Sequence, residues 1–275
     1  MIKRILVPTD FSDCSINALK YAVQLAKRLQ VQELLIMNAY TSPVAYSDAG
    51  VYYDMYALTA DSNADIIDKF EVVKNQIPDL KDINYSFSIQ NAFVLEATKE
   101  VCHASNIDLI VMGTKGASGL EEVLFGSTTY AVIKNSKQPV LVVPEDAAYR
   151  QIHKVALASD YKEIDSKVLE PLRALNQAIH TEVHVVHISK SEELTHEEIH
   201  EAKKYEQYLH NVPHQFHYLV NENIEEALNE YVQSHKIDLM TLIPRKHKFY
   251  EILFRSAKSR PIIVHADMPL LVLPE

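Results

Sequence analysis

The sequence predicts an α/β protein built as two tandem, doubly wound units, each a parallel sheet covered by helices on both faces. Three observations carry this. Short apolar runs of strand type alternate with stretches of helical periodicity. The same landmarks occur twice in the same order. Four of the five glycines fall within fourteen residues, directly after one of the strand-like runs.

In the first copy the spacing predicts a strand over Ile5 to Pro8, then a helix capped by Ser12 or Asp13 with Ile16, Leu19, Ala22, Val23 and Ala26 on one face. A second strand follows at Leu34 to Ala39. A helix over about Ala64 to Gln76 carries Ile66, Ile67, Phe70 and Val73. Asn84 to Ile89 reads as the third strand, Val94 to Ala104 as a helix and Leu109 to Met112 as the fourth strand. A glycine-rich segment, a helix near Thr128 to Lys134 and a fifth strand over Val140 to Val143 complete the unit.

The second copy repeats the landmarks. Lys3-Arg-Ile-Leu-Val-Pro-Thr-Asp-Phe matches His153-Lys-Val-Ala-Leu-Ala-Ser-Asp-Tyr, and Ile107-Asp-Leu matches Ile237-Asp-Leu. Pro139-Val-Leu-Val-Val-Pro-Glu matches Pro269-Leu-Leu-Val-Leu-Pro-Glu. The polar stretch Asp146 to Gln151 divides the copies, giving expected domains of 1–146 and 151–275.

Composition narrows the functions. An apolar fraction of 47% supports packed cores, and a net charge of −10 argues against a nucleic-acid surface, which would carry a basic stripe. Two cysteines, Cys14 and Cys102, are too few for a disulfide framework. The N-terminal residues lack the apolar core of a signal peptide, and no apolar run approaches a bilayer span, so a cytoplasmic protein without a membrane partner is expected.

The glycine segment runs from Gly113 through Gly116 and Gly119 to Gly126 and leads into Ser127-Thr-Thr. A strand, a glycine loop and a helix N-terminus in this order form an anion site: backbone N–H groups point outward and the helix dipole favours negative charge. The plainer alternative is a tight turn and a helix cap. Ligands of open α/β sheets sit beyond the carboxyl ends of the strands, so Asp10 and Gly113, each just past such an end, are expected to face one crevice.

The spacing Gly-x2-Gly-x9-Gly-Ser, together with Val7-Pro-Thr-Asp10 and Pro139-Val-Leu-Val-Val-Pro144, resembles the universal stress protein family in its tandem form. The resemblance spans nearly the whole chain and is stronger in the first copy. It implies a strand order of 3-2-1-4-5 in each copy, and ATP as ligand with a divalent cation, Mg2+, accompanying it. By the same resemblance Pro8 and Asp10 lie beside the adenosine, Ala39 packs on adenine where the family more often has valine, and Met112 and Gly113 contact ribose. Gly116, Gly126, Ser127 and Thr128 then hold the phosphates. Asp10 has two open roles, turn cap or ligand contact, because Asp160 persists in the second copy where the glycines do not. The resemblance also implies pairing through the fifth strands, Val140 to Val143 with Leu270 to Leu273, as an intramolecular pseudo-dimer, with a further homodimer possible.

The second copy departs at the glycine loop. Ile243 stands where Gly113 stands and Lys246 where Gly116 stands, so this copy is expected not to bind ATP in the same manner. Its run Arg245, Lys246, Lys248 reads as a solvated loop or an anion or partner contact. Twelve of the thirteen histidines lie after residue 150. His196 and His200 share a helix face and His184 and His187 flank a strand end, but no carboxylate or cysteine completes a metal site. Tyr40, Tyr46, Tyr52, Tyr53 and Tyr56 crowd one loop, either a lid over the adenosine, an oligomer contact, or a loop packed on itself. The function expected is an ATP-binding regulatory stress-response protein with no catalytic residue. The alternatives are a slow ATPase and a nucleotide-independent interaction scaffold.

Overall fold

A computed structural model of the chain describes residues 1–41, 55–114, 126–244 and 268–275. The first half runs β1 (Arg4–Pro8), α1 (Asp13–Leu29), β2 (Glu33–Tyr40), α2 (Met55–Gln76), β3 (Tyr85–Asn91), α3 (Val94–Ala104), β4 (Leu109–Gly113), α4 (Ser127–Asn135) and β5 (Val140–Val143). The second half runs β6 (Lys154–Ala158), α5 (Glu170–Ile179), β7 (Glu182–Ser189), α6 (His196–Tyr208), β8 (His214–Val220), α7 (Ile224–His235), β9 (Leu239–Leu242) and β10 (Leu270–Val272).

The strands form one ten-stranded sheet in the order β3-β2-β1-β4-β5-β10-β9-β6-β7-β8. Each half therefore has the order 3-2-1-4-5, all parallel within itself. The halves meet where β10 runs antiparallel to β5, with Leu271 opposite Leu141. One face carries α1, α2, α5 and α6 over a core that is continuous across both halves, and the other carries α3, α4 and α7. The central strands are buried on both sides, which is why they read as unbroken apolar runs rather than alternating ones.

Within α1 the expected face is buried: Ile16, Leu19, Ala22, Val23 and Ala26 are all core residues. The second helix differs from expectation. It starts at Met55 rather than near Ala64, and Ile67 is 53% exposed while Ile66, Phe70 and Val73 are buried. Residues 66, 70 and 73 share one helical stripe, and a residue directly after 66 is turned about 100° away from it.

The repeat extends to backbone details. Asp108 Oδ2 accepts the amides of Lys3 and Arg4 at 2.7 and 2.9 Å, and Asp238 Oδ2 accepts those of His153 and Lys154 at 2.8 and 2.9 Å. Each aspartate thus pins the entry to the first strand of its half. Left-handed backbone recurs at matched non-glycine positions: Phe11 and Tyr161, Gln30 and His180, Asn106 and Lys236. Charge-assisted bonds of this kind contribute about 1.5–3 kcal/mol each. Asp108→Ala, which orphans two amides, is expected to lower unfolding free energy by about 2–3 kcal/mol in a urea titration.

The stretch between the halves is tied to α1. Asn17 Nδ2 donates to the carbonyls of Pro144 and Ala147, both at 2.9 Å, and Tyr21 packs edge-on against Tyr149. Among the described residues no helix is long and apolar enough to cross a membrane.

Candidate nucleotide site

The site is built where the chain leaves β1 and β4. The Thr9 amide donates to the Met37 carbonyl at 2.8 Å, and Asn38 Nδ2 donates to the Thr9 carbonyl at 2.8 Å, which keeps this exit beside β2. Phe11 adopts φ 65 and turns the chain back, while Thr9 Oγ1 accepts the Phe11 amide and pairs with Ser15 Oγ at 2.9 Å. Ser12 caps α1 by accepting the Ser15 amide. Asp10 Oδ1 accepts both the amide and the hydroxyl of Ser12. Asp10 therefore supports the cap and also lies exposed on the cleft. Asp160 repeats the turn by accepting the Lys162 amide at 3.2 Å, which accounts for its persistence in the second half.

Gly113 ends β4 against the first turn of α1. A Cβ at this position would lie 2.7 Å from Cys14 Sγ and 3.0 Å from the Cys14 carbonyl oxygen, so only glycine allows this approach. The chain returns from the glycine segment through a 2.7 Å bond from the Gly126 amide to the Thr114 carbonyl. This sets the start of α4 at the cleft. Thr129 turns inward and donates from Oγ1 to the Gly113 carbonyl at 2.9 Å, whereas Ser127 and Thr128 are exposed. The first amides of a helix have no intrahelical partner, so this end of the cleft offers N–H groups, two hydroxyls and the positive end of a dipole.

The result is an open cleft beyond the carboxyl ends of β1 and β4. Of the nine residues expected at the site, the structure brings eight together on it: Pro8, Asp10, Ala39, Met112, Gly113, Gly126, Ser127 and Thr128. Gly116, and with it Gly119 and Lys115, lies outside the described residues. Thr9, Ser15, Met37, Val94 and Thr129 also line the cleft and were not singled out from sequence. Thr129 continues the hydroxyl run after Gly126. Met37 and Val94 carry no local signal, because their contribution comes from sheet register and from α3 folding over the sheet. The cleft thus has an apolar end at Met37, Ala39, Val94 and Met112 and a polar end at α4, a match for a flat base joined to an anionic tail.

The second half lacks the same preconditions. By strand register Leu242 and Ile243 match Met112 and Gly113, and Ile243 is buried. The first helix is eroded in the same place. Residue 163 matches the start of α1, yet regular helix begins only at Glu170, after a 3-10 turn over Ser166–Leu169. Ile243 instead joins the core on the face that carries α5 and α6. The run Arg245, Lys246, Lys248 lies outside the described residues.

Two of the histidines take another place than expected. His184 and His187 lie inside β7, on opposite faces and both buried, rather than flanking a strand end. Three residues of separation in a strand reverses the face. His196 and His200 are exposed on α6, and among the described residues no three His, Cys, Asp or Glu side chains are arranged to hold a metal. Of the tyrosine-rich loop only Tyr40 is described with its side chain, whose hydroxyl donates to Asn63 Oδ1 at 3.1 Å; Tyr46, Tyr52 and Tyr53 lie outside the described residues.

Comparison with known proteins agrees with this architecture. Universal stress protein MJ0531 of Methanocaldococcus jannaschii is 31% identical over 144 residues, covering 52% of this chain and 82% of that protein. Universal stress protein MJ0577 of the same organism is 29% identical over 160 residues, covering 52% of this chain and 95% of that protein. The crystal structure of a universal stress protein from Archaeoglobus fulgidus superposes with a TM-score of 0.66 at 18% identity, covering 99% of this chain and 96% of that one, so the likeness in fold extends over both halves. The sequence profile of the universal stress protein family matches residues 1–144, the half that holds the cleft. With more than half of its residues matching that family and its fold shared from end to end, the chain belongs to the universal stress protein family.

Proposed function

We propose that this chain is an ATP-binding regulatory stress-response protein whose first domain, residues 1–146, holds the nucleotide. The observation that carries the proposal is the convergence of an apolar floor and the hydroxyl-lined start of α4 on one cleft beyond the carboxyl ends of β1 and β4. Adenine packs on Ala39, Pro8 and Asp10 lie beside the adenosine, Met112 and Gly113 contact the ribose, and the phosphates lie against Gly126, Ser127 and Thr128. Mg2+ enters with the phosphates, whose oxygens and water fill most of its coordination sphere. The second domain, residues 151–275, is a degenerate partner that binds no ATP and completes an intramolecular pseudo-dimer. The antiparallel β5–β10 pairing supports this arrangement.

The test is calorimetric titration with ATP and Mg2+ beside Thr128→Asp. Aspartate in the first turn of α4 complements the helix dipole by about 0.3–1 kcal/mol, so the variant is expected to melt no lower than the wild type. The same carboxylate opposes the phosphates and is expected to weaken ATP binding by about tenfold or more. One equivalent bound by the wild type supports the proposal. Two equivalents would contradict the assignment of the second domain, and a folded wild type that binds none would leave the cleft as architecture of an interaction scaffold.

A further inference from the structure

The second half carries a cluster of ionisable rings that the cleft does not use. On the face covered by α7, His184 of β7, His217 of β8 and His235 of α7 have ring centroids 5.0 to 6.0 Å apart. Tyr231 joins them, stacked on His235 at 3.9 Å and sharing a 2.6 Å hydrogen bond with His184 Nδ1. In strand and helix register the first half has Leu35, Ser88, Ser105 and Val101 at these four positions. One copy of the repeat has thus exchanged apolar and small residues for imidazoles beneath the same helix.

We propose that His184, His217 and His235 form an acid-responsive latch that holds α7 on the sheet while the rings are neutral and frees it when protons enter the cluster.

The charges around the rings support this. Glu182 Oε2 lies 3.6 Å from His184 Nε2 and is the carboxylate in the cluster; Gln215 donates to its other oxygen. Lys154 of β6 reaches the His235 carbonyl at 3.4 Å and adds a positive charge nearby. His235 Nδ1 lies 3.1 Å from the Tyr231 carbonyl and 3.0 Å from Ser234 Oγ, at the C-terminal end of α7. A proton on His184 therefore meets Glu182. His217 has no such contact: its Nε2 is buried with no hydrogen-bond partner among the described residues, and its ring packs against those of His184, His235 and Tyr231. Burial, then His184 and His235, holds His217 below the ordinary histidine range, with the Glu182 charge opposing. Burial likewise lowers His184, with Glu182 opposing. Burial keeps the Tyr231 hydroxyl protonated well above the usual phenol range, so it remains a donor.

The sign follows. The detached state binds protons at the ordinary histidine value near 6.5, and the docked state binds them only at lower pH. Docking is at full strength above that value and weakens as pH falls below it. Detachment uncovers Leu228, Tyr231 and Val232, which are buried against the sheet.

Hydrogen exchange followed by mass spectrometry from about pH 7.5 to about pH 5.5, corrected for intrinsic exchange, tests the latch. Opening of α7 is expected to rise roughly tenfold per pH unit for each proton taken up, while the matched helix α3 keeps its protection. His184→Leu with His217→Ser, which restores the residue types of the first half, is expected to flatten the response. Equal loosening of α3 and α7, or an unchanged response in the double variant, overturns the proposal. Should that variant fail to fold, imidazole NMR of the wild type decides: titration of His217 at or above the ordinary value sinks the latch.

Discussion

Leu271→Asp is expected to destabilise the protein by about 4–5 kcal/mol, the upper range for a point change. Leu271 is 3% exposed, lies opposite Leu141 on β5 and beside Thr241 on β9, and belongs to the core that runs through both halves. A carboxylate there loses its water among the apolar side chains of Leu109, Leu141, Leu175 and Leu239, and it lies in the strand that seals the joint. Urea unfolding gives the free energy, and light scattering gives the second readout. Detaching β10 leaves β5 as an open edge, which invites pairing with another chain, so the variant should self-associate more than the wild type. A midpoint within experimental error of the wild type would contradict the central place given to this strand.

The second large effect falls on the cleft. Gly113→Ile installs the residue that the second half carries at the matched position. Its Cβ would lie 2.7 Å from Cys14 Sγ and 3.0 Å from a backbone oxygen, so α1 or β4 must shift. Overpacking of this kind costs about 1–3 kcal/mol. With ATP bound as proposed, the loss of affinity should be larger than the loss of stability, by about a hundredfold in dissociation constant, because the displaced segment from the end of β1 into α1 carries Asp10 and Ser15 on the cleft. Thermal melting and calorimetry on the same sample separate the two. A variant that melts lower and still binds ATP at wild-type affinity would show that the α1–β4 contact does not shape the site. The reverse change, Ile243→Gly, is not expected to create a site, since the first helical turn of that half is also absent.

The elements legible in the sequence were those whose environment is uniform. Val140–Val143 and Val94–Ala104 fall where the apolar run and the helical stripe place them, because each is bounded by a proline, a polar turn or a cap. The start of α2 at Met55 was not legible, since its first turns lack an apolar stripe to reveal them. Ile67 is exposed because it sits about 100° round the helix from the stripe of Ile66, Phe70 and Val73, and local sequence does not say which of two adjacent isoleucines lies on that stripe. In the cleft, glycines and hydroxyls announce themselves through their rarity or their order. Met37 and Val94 do not, because their part depends on which residues of β2 face upward and where α3 lands. The histidine surplus was visible as a count. That His184, His217 and His235 meet depends on the β7–β8 register and on α7 crossing above it, and neither is written in local spacing.

The antiparallel joint of β5 and β10 lies within a single covalent chain. Two separate subunits meeting through the same strands would dissociate on dilution, and their melting temperature would rise with protein concentration. Here the partner strand is always supplied at the effective concentration set by the tether, so the joint is insensitive to how much protein is present. Covalent linkage also removes the demand that both sides of the interface share one sequence. One copy can keep its glycines while the other drifts, as Gly113 and Ile243 have, without any risk that mismatched subunits assemble.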